Sequence, residues 1–136
     1  MGAWAVDAFG NDEACDWAYD LSESKDLSSV ESTLSKVLAV GDGYLESPEA
    51  IAGIAAAETV ARLQGNFGEK NSYTEAVDNW VSHIKIKPST DLAKKSHAVI
   101  DRVLSDSSEL LELWQDSEEF DAWKSSVLDI KSRIHV

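Results

Sequence analysis

The chain has one cysteine, Cys15, and two prolines, Pro48 and Pro88. A lone thiol excludes an intrachain disulfide and suits a reducing compartment. Paired-cysteine and Cys–His metal spacings are absent, as are His-Glu-x-x-His, the Glu-x-x-His pair of di-iron bundles, glycine-rich phosphate loops and Gly-x-Ser-x-Gly. Gly41-Asp42-Gly43 reads as a helix-ending turn. The sequence therefore predicts no catalytic residue, no metal site and no cofactor. The longest apolar run, residues 50–57, is eight residues, against the roughly 20 that a bilayer-spanning helix needs. No basic stretch leads into an apolar run at the start, so no signal peptide is expected, and Val6 stands where an N-myristoylation motif requires Ser or Thr. A cytoplasmic location is the expectation.

Positive charge is also scarce. Twelve Lys and Arg face 25 Asp and Glu, for a net charge of −13 and a pI near 4.4. Such a field repels phosphate backbones and anionic lipid, so neither nucleic acid nor membrane is an expected partner. It attracts a basic protein and speeds the encounter.

What is present is helix signal. With 136 residues, 43% of them hydrophobic, the chain can bury the core of one domain, and residues 1–136 show no linker or internal repeat. Asn11 precedes a first helix with Asp12 and Glu13 in its first turn and Ala14, Trp17, Ala18 and Leu21 on one face. A second starts near Asp26, buries Leu27, Val30, Leu34, Val37 and Leu38, and stops at Gly41. Ser47 as N-cap, Pro48 in the first turn and Gly65 beyond the end delimit a third. Its Ala, Ile and Val residues cover nearly the whole circumference, so it is expected at the centre, with Gly53 permitting close approach. Ser72 and Glu75 have capping-box spacing for a fourth helix carrying Tyr73, Val77, Trp80 and Ile84. Residues 84–87 alternate and are expected to be briefly extended before Pro88. A fifth helix starts near Thr90. A short one carries Leu110, Leu111, Leu113 and Trp114. A last one, with capping-box spacing at Asp116 and Glu119, carries Phe120, Trp123, Val127, Ile130 and Ile134. The expected fold is all-α: an irregular bundle of six or seven short helices around a central Ala-rich helix.

Two residues invite a chemical reading. Glu58 lies inside the central helix, where a charge is costly unless paired. It either lines a pocket or forms an i,i+4 pair with Arg62, and the pair is the simpler account. His83 shares a helix face with Glu75 and Asn79, where a solvated surface histidine is the ordinary outcome.

Charge distribution is the stronger functional signal. Residues 105–122 hold seven acids (Asp106, Glu109, Glu112, Asp116, Glu118, Glu119 and Asp121) and no base. Residues 37–61 hold Asp42, Glu46, Glu49 and Glu58, again with no base, whereas residues 83–102 hold five bases against two acids. A protein-binding face is expected if the two acidic segments fold together, with Trp114 and Trp123 serving the core.

The opening, Met1 to Trp17 (MGAWAVDAFGNDEACDW), resembles a family of short bacterial proteins known by a domain-of-unknown-function label (4259). Its members open Met-Gly-Ala/Thr-Trp-Gly, then Phe-Asp/Glu-Asn-Asp, then Asp-Trp. Tyr44-Leu45-Glu46-Ser47-Pro48 with the run through Glu58, and Ser108 to Trp114 with Trp123, are similar to it as well. The sequence departs at Ala5 and Gly10. The resemblance implies a small helical domain with no established activity, and makes Asn11, Asp12, Asp16, Glu46 and Glu58 the polar residues to inspect. Trp4, Phe9 and Trp17 are expected to tie the N-terminal segment to the core.

The sequence thus points to an acidic, non-enzymatic protein-binding module. An immunity protein that neutralises a basic toxin domain such as a nuclease is its most specific form. The competing expectation is a small hydrolase or ligand-binding protein using Glu58, Glu46 or His83.

Overall fold

The computed structural model describes residues 6–136, so the expectation for Trp4 lies outside the described residues. Among the described residues seven helices follow in order: α1 (Asp12–Leu21), α2 (Ser28–Ala39), α3 (Ser47–Leu63), α4 (Glu75–Ile84), α5 (Thr90–Val103), α6 (Glu109–Gln115) and α7 (Phe120–Arg133). Among the described residues the only β pairing is a single parallel bridge between Leu45 and Ser108.

The helix starts divide by where the capping group comes from. Asn11 accepts the Ala14 N–H at 2.8 Å, and Ser89 and Ser108 do the same for Leu92 and Leu111. α3 differs: Ser47 is its first residue rather than its cap, and Glu46 holds the extended N-cap position. The orphan Ser47 N–H donates to Oε1 of Glu109, 62 residues away, at 2.8 Å. The Ser72–Glu75 capping box does not form. α4 begins after Thr74, whose hydroxyl donates to Asp78 instead. The expected Asp116–Glu119 box is likewise replaced, with Ser117 Oγ accepting from the Glu119 N–H at 3.0 Å. Residues 84–87 form no strand: Ile84 ends α4 and Lys85 turns left-handed at φ 52°. Two expected apolar contributors point outward, with Tyr73 56% and Leu113 46% exposed.

α3 is the axis. It packs against each of the other six helices, and residues 53–62 are all buried. It ends in a Schellman turn: the Gly65 N–H (φ 89°) donates to Arg62 O at 2.9 Å and the Asn66 N–H to Ala61 O at 2.9 Å. Its small residues let α2 and α5 close on it. A Cβ at Gly53 would sit 2.8 Å from Val37 Cγ2 and 3.1 Å from Val99 Cγ1. At the opposite flank Trp114 and Trp123 stack with ring centroids 5.6 Å apart and planes within 6°. Both are buried, as expected of core tryptophans.

Gly53→Ala is therefore expected to lower stability even though alanine is the better helix former. Overpacking two stiff β-branched neighbours costs about 1–3 kcal/mol, against about 1 kcal/mol regained in helix propensity. Urea unfolding checks this; a midpoint above that of the wild type would contradict it.

Candidate functional site: an acidic face and a buried ionic cluster

The two base-free acidic segments are adjacent. The Leu45 N–H donates to Ser107 O at 2.8 Å and the Glu109 N–H to Leu45 O at 2.9 Å, joining the loop before α3 to the loop before α6. The Tyr44 hydroxyl donates to Glu112 Oε1 at 2.9 Å. Tyr44 is half-exposed, and its phenol is pushed up to about 12, first by that hydrogen bond and further by the charges of Glu112, Glu109 and Glu46. Three of the expected partner-binding acids thus gather at one tyrosine. Two are also structural: Glu109, half-buried, caps α3, and Glu112 anchors Tyr44.

Asp42 and Asp106 are exposed on the joined loops, while Asp116, Glu118, Glu119 and Asp121 are exposed from the end of α6 to the start of α7. Glu49 departs from the group. It borders an open cleft of about 250 Å³ together with Glu13, Trp17, Thr33 and Lys36 of α1 and α2. Arg102, in sequence one of the basic segment's five bases, lies with the acidic loops, where its Nε donates to Gly41 O at 3.0 Å. Lys95 and Lys131 pair outward with Glu31 and Asp101.

Glu58 is buried and fully engaged. Its Oε2 accepts from Arg62 Nε at 2.8 Å and Arg133 Nη1 at 2.9 Å, and its Oε1 accepts from Arg133 Nη2 at 2.7 Å. The i,i+4 pair is present, and a second arginine from α7 completes it. Arg62, only 2% exposed, also pairs with Asp78 and donates to Glu69 O at 2.7 Å. Arg133 Nε reaches Asp129 at 2.9 Å, and its Nη1 reaches Asn66 O at 3.0 Å. The bonds to Glu58 hold the Arg133 guanidinium above its ordinary pKa, against the opposing pull of burial. No polar side-chain atom buried among the described residues lacks a partner. Glu58, Asp78, Arg62 and Arg133 sum to zero charge, which is what a low-dielectric site requires. Arg133 and Asp78 carried no sequence signal for this role.

His83 is exposed on α4, with Nδ1 2.7 Å from the Asn79 carbonyl. Neither Glu58 nor His83 borders the Glu49 cleft, the similar-sized cleft at Ile86, or the apolar cavity of about 20 Å³ beside the tryptophan stack. That cavity has room for about one water. Cys15 donates its S–H to Phe9 O at 3.3 Å. Burial and the charges of Asp12, Asp16 and Asp7 raise its pKa, so it stays a thiol rather than a nucleophilic thiolate. Among the described residues no three His, Cys, Asp or Glu converge to hold a metal, and no helix is long and apolar enough to cross a membrane.

These features define a small all-helical domain with an electroneutral ionic core and an acidic outer face. The chain belongs to the family described as Domain of unknown function (DUF4259), which matches residues 2–126. No curated protein and no solved structure shows significant similarity to it.

Glu58→Ala is expected to cost about 3–5 kcal/mol, because it leaves two guanidinium groups facing each other without their shared carboxylate. Denaturant unfolding measures it, and a loss under about 1 kcal/mol, the scale of exposed pairs, would show the cluster to be dispensable. Glu112→Ala should bring Tyr44 back toward the usual phenol range. Because the folded pKa is raised, the bond's contribution is complete below the unfolded value near 10 and fades as pH rises through about 12. Phenolate absorbance in wild type and variant reads this directly.

Proposed function

We propose that this domain is a protein-binding module for a basic partner, and that its charge best suits an immunity protein neutralising a cationic toxin domain, such as a nuclease, in the bacterial cytoplasm. One observation carries the reading: the half-exposed Tyr44 donates to Glu112 where two base-free acidic segments meet, and the charges of Glu109 and Glu46 are felt at the same phenol. Exposed tyrosine is over-represented at binding hot spots, and Leu113, also exposed, follows Glu112 on the same helix. A nuclease needs a cationic cleft to hold its substrate, so an acidic face is complementary to it and is steered toward it. The hydrolase reading gains no support from Glu58, whose two oxygens are both taken by guanidinium groups.

The test isolates what the tagged protein retains from lysate of its source cells, then follows association by stopped flow. The charge-reversed variant carries Asp42→Lys, Asp116→Lys and Glu118→Lys, which leaves the structural carboxylates Glu109 and Glu112 in place. Association is expected to slow in the variant, and in the wild type at high salt, since the Debye length falls from about 10 Å at 0.1 M to about 3 Å at 1 M. Loss of the captured partner's nuclease activity on binding supports the immunity form. A salt-insensitive on-rate that the variant shares would reduce these carboxylates to a solubility face.

A further inference from the structure

Arg102 belongs to α5, yet its side chain is spent on two loops that α5 does not contain. Its five N–H groups meet five acceptors. Nε donates to Gly41 O at 3.0 Å, Nη1 to Ser105 Oγ and Asp106 O at 3.3 Å each, and Nη2 to Gly43 O and, at 3.3 Å, to Ser107 O. A guanidinium carries five donors in a rigid fork, so the set is complete. Four of the acceptors are backbone carbonyls, two from each acidic loop, whose negative ends converge on a single point. Without a cation there they would repel, under the further repulsion of Asp42 and Asp106. Ser107 adds strain: at φ 63° it is in the left-handed region that a residue with a Cβ disfavours. Its carbonyl accepts from both the Leu45 N–H and Arg102.

We propose that Arg102 is a positioning residue, an internal cation that clasps residues 41–43 to residues 105–107 and thereby assembles the acidic face. The clasp holds Leu45 against Ser107 and Ser108, and that pairing sets Tyr44 beside Glu112. A positive charge in the middle of an acidic face is therefore what allows the face to exist as one surface. The purpose of the assembled face rests on the binding reading above; the clasp does not, and its readouts need no partner.

Arg102→Ala is the test, read by amide hydrogen exchange and by the titration of Tyr44. Losing these charge-assisted bonds is expected to speed exchange at the Leu45 and Glu109 amides about tenfold or more, with the amides of α3 unchanged. The Tyr44 phenol should fall from about 12 toward its ordinary range. Millimolar guanidinium chloride, too dilute to denature, should restore both readouts where equal sodium chloride does not. Arg102→Lys, with three donors on a point charge, should fall between the variant and the wild type. Unchanged exchange at Leu45 and Glu109 together with an unchanged Tyr44 overturns the clasp. So does acceleration spread evenly over every helix that guanidinium cannot reverse, since Arg102 would then be a general stabiliser. If Arg102→Ala does not fold, Arg102→Lys decides alone, and a wild-type Tyr44 titration in that variant refutes the proposal.

Discussion

A carboxylate in the middle of an alanine-rich helix constrains everything packed around it. Glu58 cannot reach water from the axis of the bundle, and an unneutralised charge there costs several kcal/mol. Arg62 supplies one neighbour from the same helix, but each arginine brings a charge of its own that needs an answer. Asp78 of α4 answers Arg62, and Arg133 of α7 answers Glu58. The loop after α3 lends carbonyls from Asn66 and Glu69 to one further proton of each guanidinium. Three helices and a loop are thus placed by one requirement, that the interior be electrically neutral and every donor satisfied. Apolar packing is permissive about small slips, whereas this arrangement is directional and accepts one register.

The surface follows the opposite rule. Inside, unlike charges are matched one for one; outside, like charges are crowded around a single cation, Arg102. A backbone pairing, a phenol and a set of carbonyls around Arg102 keep acidic segments side by side that would otherwise drift apart. Such a face stores repulsion while free, and a cationic surface laid against it would relieve that repulsion.

The fold was legible where its determinants are local. Asn11 beside an acidic first turn, Gly41 and Gly65 after helix ends, and the all-round apolar pattern of α3 each act within a few residues. The Glu58–Arg62 pair was legible for the same reason. What the sequence could not disclose acts across the chain. Arg133 is 75 residues from Glu58, and the carboxylate that caps α3 is 62 residues from Ser47. The Ser72–Glu75 pattern misled because the turn before α4 is organised by its neighbours: Asn71 accepts the Tyr73 N–H, and Thr74, the N-cap, donates to Asp78 of the ionic cluster. The acidic face was half legible. Its composition is plain along the chain, but the adjacency of its halves depends on contacts between residues some 60 positions apart, from the Leu45–Ser108 bridge to the Arg102 side chain. Counting charges also set Arg102 with the wrong group, because the reach of a long side chain is not a property of its segment.

The separation between Glu58 and Arg133 also bears on how the chain is made. Translation delivers about 5–20 residues per second, and α3 emerges well before α7. During that interval Glu58 has at most Arg62 and Asp78 for company, a set with excess negative charge. Burying Glu58 without Arg133 is then costlier than in the complete fold. Completing the charge balance of this part of the core thus waits on Arg133, the last of the cluster's four members to be synthesised.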